Sequence, residues 1–126
     1  LNNDLIVKGK WTPACGAAGV DTLLSRKVNF TALVASNDDM AIGAMKQLHE
    51  HGVSVPAQVS VIGFDDIALA AYTIPALSSV KIPVTEMIQE TIGRLIFMLG
   101  DGAFTPPKTF TGELIQRDSV APPASR

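Results

Sequence analysis

Thr31-Ala32-Leu33-Val34-Ala35-Ser36-Asn37-Asp38-Asp39 decides the fold. Its first part is an apolar run of strand length, and Ser36 to Asp39 supply capping oxygens and first-turn carboxylates for a helix. That helix is expected to end at Gly52, with Ala41, Ala44, Met45 and Leu48 at the i, i+3, i+4, i+7 positions of a buried stripe. Ile42, Lys46 and His49 then lie on a neighbouring face, which leaves Ile42 free to meet something else.

The same strand-then-turn pattern recurs on either side. Upstream, Leu5 to Trp11 reads as a short strand, Thr12-Pro13 as a helix start, and about Ala14 to Arg26 as a helix. Downstream, Val59 to Phe64 is apolar on both faces apart from Ser60, as a parallel strand covered from both sides would be, and a further helix or helical turn is expected from Asp65-Asp66. The strand ends at Trp11, Asn37 and Asp65 are spaced close to the ~30-residue βαβ repeat. Right-handed crossovers then give an α/β fold, a parallel sheet with helices on both faces.

After Ile74-Pro75 the pattern changes. Ser78 to Lys81 is a short extended piece, Ile82-Pro83 breaks it, and a longer helix is expected from about Thr85 to Leu99, with Met87, Ile88, Thr91, Ile92, Leu95, Ile96 and Leu99 on its apolar side. Gly100-Asp101-Gly102 should stop it, and Thr105-Pro106-Pro107 should form a stiff connector. Thr109 to Gln116 alternates enough for a final strand, and residues 121–126 should be a frayed tail.

The 126 residues are 47% hydrophobic and 17% charged, the composition of an ordinary globular domain with a real core. Ten Lys plus Arg against twelve Asp plus Glu give a formal charge of -2, so the segment should not grip DNA by charge. Its apolar runs are too short for a membrane span. The single Cys15 excludes an internal disulfide framework; it reads as a small packing residue and fits a reducing cytoplasm. The chain opens at Leu1 and looks like the interior of a longer protein.

In open parallel sheets, ligands sit beyond the carboxyl ends of the strands, where Trp11, Asn37 and Asp65 would converge. Asp65 can accept two hydrogen bonds from a diol, Asn37 both donates and accepts, and Trp11 offers a flat apolar face. Together these suit a sugar. The competing reading is that Asn37 and Asp65 merely cap helices. For Asp39 and Asp66, first-turn stabilisation of a helix dipole is the preferred reading. Markers of catalysis are poor. Gly16-Ala17-Ala18-Gly19 completes no dinucleotide fingerprint, and there is no phosphate loop or Gly-x-Ser-x-Gly elbow. His49 and His51 point to different sides of a helix and should be solvated, so neither a metal nor another cofactor is expected.

Three segments then become specific: Ala35-Ser36-Asn37-Asp38-Asp39-Met40-Ala41-Ile42-Gly43-Ala44, Gly52-Val53-x-Val55-Pro56, and Val59-Ser60-Val61-Ile62-Gly63-Phe64-Asp65-Asp66. With Pro75 to Met87, they resemble the effector domain of the lactose and galactose repressor family over nearly the whole chain. The stretch to Arg117-Asp118-Ser119 is most similar to the galactose isorepressor. The resemblance implies a periplasmic-binding-protein-like core of two subdomains with a sugar, galactose or an analogue, between them. It also implies a homodimer in the cytoplasm that reads operator DNA through a helix-turn-helix upstream of this segment, and no enzymatic activity.

By that resemblance, residues 1–83 and 108–120 belong to a C-terminal effector-binding subdomain that begins before Leu1, and residues 84–107 belong to the other subdomain. Asn37 and Asp65 match the family's sugar-hydroxyl binders, and Trp11 matches an aromatic that stacks on the effector. Ile42, Met45, Lys46 and Tyr72 fall on its dimer surface. Two rival functions share the architecture or the acids: an extracytoplasmic sugar-binding protein of a transporter, and an α/β enzyme acting through Asp65 or Asp66.

Overall fold

The computed structural model describes residues 2–100 and 106–123. Helix α1 spans Pro13–Ser25, strand β1 Ala32–Val34, helix α2 Asp38–Glu50, strand β2 Ser60–Asp65, strand β3 Ser78–Lys81, helix α3 Val84–Leu99 and strand β4 Glu113–Ile115. The sheet runs β1-β2-β3-β4; the first three strands are parallel, and β4 returns antiparallel to β3. The result is an α/β fold with a mixed sheet.

Local residues set where α1 and α2 begin and where α2 ends. Thr12 caps α1, with Pro13 in its first turn, where a missing N–H costs nothing. Asn37 caps α2, and after its end Gly52 takes φ +72°, a left-handed turn suited to a residue without Cβ. The core lies between α2 and the sheet: Ala41, Ala44, Met45 and Leu48 pack with Val59, Val61, Leu77 and Val20. Burying a Leu such as Leu48, which is fully enclosed, contributes about 1.5–3 kcal/mol.

Four expectations change. Leu5 to Trp11 is not a strand. Asn3–Leu5 form a 3₁₀ turn capped by Asn2, and the next residues run without a strand partner, the carbonyls of Asp4 and Ile6 being met instead by the Arg26 guanidinium at 2.8 and 3.0 Å. Leu5, Val7, Lys8 and Gly9 face β1 across an open groove of about 410 Å³ floored by α1. Helices do not cover both faces of the sheet among the described residues: Val34, Phe64 and Leu114 remain exposed, Val34 at 80%. The turn after β2 begins at Ala68, not Asp66, as a 3₁₀ helix to Tyr72. Ala121 is no frayed end, because its amide and carbonyl both bond the Ser60 hydroxyl at 3.1 and 3.0 Å.

Helix α3 matches its expected span and has no buried residue, so its whole apolar stripe is left open. The stop at Gly100 is in place, whereas Asp101, Gly102 and Thr105 of the expected stop and connector, and tail residues 124–126, lie outside the described residues.

Candidate functional site

Two glycines bring the amino-terminal ends of α1 and α2 together. A Cβ on Gly16 would stand 2.0 Å from the Met40 carbonyl oxygen, and one on Gly43 would stand 1.9 Å from that of Pro13. Backbone therefore meets backbone where the helices cross. The crossing sets Trp11, just ahead of α1, beside Asn37, the cap of α2. The Asn37 Oδ1 accepts from the Met40 amide at 2.9 Å, and its Nδ2 donates to the Trp11 carbonyl at a long 3.5 Å. Asn37 thus does cap a helix, and its amide also faces the loop that carries Trp11. The Trp11 residue itself is 70% exposed.

Asp65 closes β2, and its side chain caps no helix. It has φ 107° and Asp66 has φ 56°, a pair of left-handed residues that are not glycine. Such conformations cost about 1–3 kcal/mol each and persist only where neighbours impose them. The neighbours are specific. The Asp66 amide donates to the Ser79 Oγ at 3.0 Å, and that hydroxyl donates to the Asp38 Oδ1 at 2.6 Å. The Ile67 amide donates to the Asp38 Oδ2 at 2.8 Å, and the Asp66 carboxylate pairs with Arg117 at 2.6 Å. Asp38 is fully buried. Gly63 makes room for it, since a Cβ there would come within 2.1 Å of the Asp38 Oδ1.

The Asp65 carboxyl is pushed above the usual carboxylate range, first by burial and then by the charges of Asp38 and Asp39, so all three acids share one end of the sheet. The folded state then holds this proton more tightly than the unfolded state. Stability contributed here falls as pH rises through the carboxylate range, and the penalty is complete above the folded pKa. Asp65→Asn should therefore unfold at higher urea than the parent at pH 7. The gain should shrink as pH is lowered past the ordinary aspartate value. An equal gain at pH 7 and pH 3 would show that charge is not its source.

Other expectations are revised at residue level. Asp66 starts no helix and instead holds Arg117. His51 is not simply solvated, for its Nε2 lies 2.7 Å from the Asp21 Oδ1, which holds the Asp21 carboxyl below its usual range. Met45, expected on a dimer surface, is buried in the core; Ile42 is half-buried. Lys46 is exposed and paired with Glu50, and Tyr72 is 81% exposed. Among the described residues no three His, Cys, Asp or Glu side chains are grouped to hold a metal. No described helix is long and apolar enough to cross a membrane.

A short, mostly parallel sheet with candidate polar and aromatic residues beyond its carboxyl ends is the architecture of the periplasmic-binding-protein-like domains. Residues 5–120 match the family described as Periplasmic binding protein-like domain, and the chain belongs to it, grouping there with transcriptional regulators of the LacI/GalR type. It is 74% identical to the HTH-type transcriptional regulator AscG of Escherichia coli K12, over 98% of this chain and 37% of AscG. The crystal structure of a sugar-binding transcriptional regulator of the LacI family from Escherichia coli, complexed with phosphate, superposes with a TM-score of 0.88. It shares 76% identity and covers 97% of this chain and 44% of that one. The lac repressor dimer bound to operator and the anti-inducer ONPF gives a TM-score of 0.83 at 28% identity, over 89% of this chain and 39% of that one.

The chain thus spans well under half the length of these relatives. A particular kinship with the galactose isorepressor gives way to AscG, since GalS of Salmonella typhimurium is only 39% identical over 107 residues.

Proposed function

We propose that this chain is the effector-binding part of a sugar-responsive transcriptional repressor that works in the cytoplasm. Trp11 stacks on the sugar, Asn37 and Asp65 bind its hydroxyls, and galactose or a close analogue is the effector to test first. The sugar closes residues 1–83 and 108–120 against a second subdomain to which residues 84–107 belong. Ile42, Met45, Lys46 and Tyr72 face a second copy, and Met45 would contribute there mainly as support beneath Ile42 and Lys46. The whole protein reads operator DNA through a helix-turn-helix outside this segment. Sugar binding then biases the dimer between operator-competent and operator-incompetent states, by no more than the sugar's differential affinity for the two.

The observation that carries this reading is the 74% identity to a transcriptional regulator across 98% of the chain. The same likeness favours it over a transporter's binding protein or an enzyme. The test is operator release by the full-length protein, followed by fluorescence anisotropy during titration with galactose and its close analogues. Asp65→Ala should hold operator within about twofold of the parent and require at least ~100-fold more sugar for release, because an acceptor for sugar hydroxyls is lost. Normal release by the variant would remove Asp65 from the site, and no release of the parent by any sugar would overturn the effector class.

A further inference from the structure

We propose that Arg117 is a positioning residue for the sugar site, holding Asp65 in its left-handed geometry through Asp66; the proposal rests on the reading of Asp65 as a sugar ligand. Arg117 lies just beyond β4 and is fixed at three points. Its amide donates to the Ser78 Oγ at 2.8 Å, its Nη1 donates to the Leu77 carbonyl at 2.7 Å, and its Nη2 meets the Asp66 Oδ1 at 2.6 Å. The paired side chains are only 19% and 13% exposed, so water competes weakly for the bond.

Asp66 is thereby held at both ends, its amide by Ser79 and its carboxylate by Arg117. Its φ of 56° and the 107° of Asp65 are adjacent dihedrals of one turn, so whatever holds the first constrains the second. Released from Arg117, the pair is free to relax towards ordinary negative φ, which swings the Asp65 carboxylate out of its direction. A guanidinium suits this task because it can serve the Leu77 carbonyl and the Asp66 carboxylate together in a fixed plane, which a lysine ammonium cannot. The consequence is that a residue beyond the last strand sets the aim of a ligand on the central one.

The test uses the full-length regulator with Arg117→Met, Arg117→Lys, Asp66→Asn and the double variant Arg117→Met/Asp66→Asn. Galactose affinity by calorimetry should fall about tenfold or more in Arg117→Met while operator affinity without sugar stays at the parent's value. The double variant should be no worse than the more affected single one, because both break the same link. Arg117→Lys should recover only part of the affinity. A purely structural role would instead lower the melting temperature without changing sugar affinity in the folded protein, and that result overturns the proposal.

A second measurement separates this proposal from the function on which it rests. Crystal structures of the parent and Arg117→Met read the dihedrals directly. Positive φ retained at both residues in Arg117→Met overturns the positioning role whatever the sugar data show. Lost positive φ in a protein whose parent binds no sugar upholds the positioning and sinks only the ligand reading of Asp65.

Discussion

Gly43→Ala should destabilise the folded chain by about 2–4 kcal/mol, although alanine is the better helix former by about 1 kcal/mol. The added methyl would sit 1.9 Å from the Pro13 carbonyl oxygen, 2.6 Å from its carbon and 2.8 Å from the Cα. All three are backbone atoms, so no side chain can turn aside, and α1 must back away from α2. Gly16→Ala meets the Met40 backbone in the same way and should cost a similar amount. Once either methyl has parted the helices the other finds space, so the double variant should cost clearly less than the sum of the two. Urea unfolding of the four proteins checks this. An unchanged midpoint in Gly43→Ala would mean that the helices slide freely past each other.

Asp38→Ala should cost about 3–4 kcal/mol, because it strands the Ser79 hydroxyl and the Ile67 amide where water cannot replace the lost acceptor. Asp38→Asn distinguishes hydrogen bonding from charge. Its carbonyl oxygen can serve Ile67 while its NH2 donates to Ser79, provided that the hydroxyl proton rotates away, and a loss nearer 1 kcal/mol is expected. Equal losses in the two variants would indicate that the negative charge itself is required. In both, the turn at Asp65-Asp66 loses part of its anchor, so the sugar response proposed above should weaken along with stability.

Much of this was legible locally. The α2 cap, the buried stripe Ala41-Ala44-Met45-Leu48, the stop at Gly52 and the span of α3 follow from short-range periodicity and capping, which act within one turn or two. The positions of Asn37 ahead of α2 and of Asp65 at the end of β2 were legible for the same reason. What escaped depends on contacts between distant residues. Leu5 to Trp11 has the composition of a strand, yet a strand exists only with a partner to pair with, and composition does not show the partner.

Gly16-Ala17-Ala18-Gly19 was weighed only as an incomplete nucleotide loop. A glycine on each of two neighbouring helices allows a close crossing instead, and that clue lay in Gly16 and Gly43. Asp38 and Asp66 sit next to the expected ligands Asn37 and Asp65, where an acid is ordinarily a helix-terminus charge. Their actual partners, Ser79 and Arg117, stand far along the chain, and no local pattern links them.

The uncovered sheet face and the outer edge of β1 have a practical outcome for anyone handling this segment. Ala32, Leu33 and Val34 offer their unpaired outer backbone groups as a short template, with Val34, Phe64 and Leu114 forming an adhesive surface alongside. Two copies meeting there would add strand to strand without the geometric closure that limits a symmetric assembly, so growth need not stop at a pair. The isolated segment should therefore aggregate more as its concentration rises, and a lysine in place of Val34 would act as a gatekeeper against such growth.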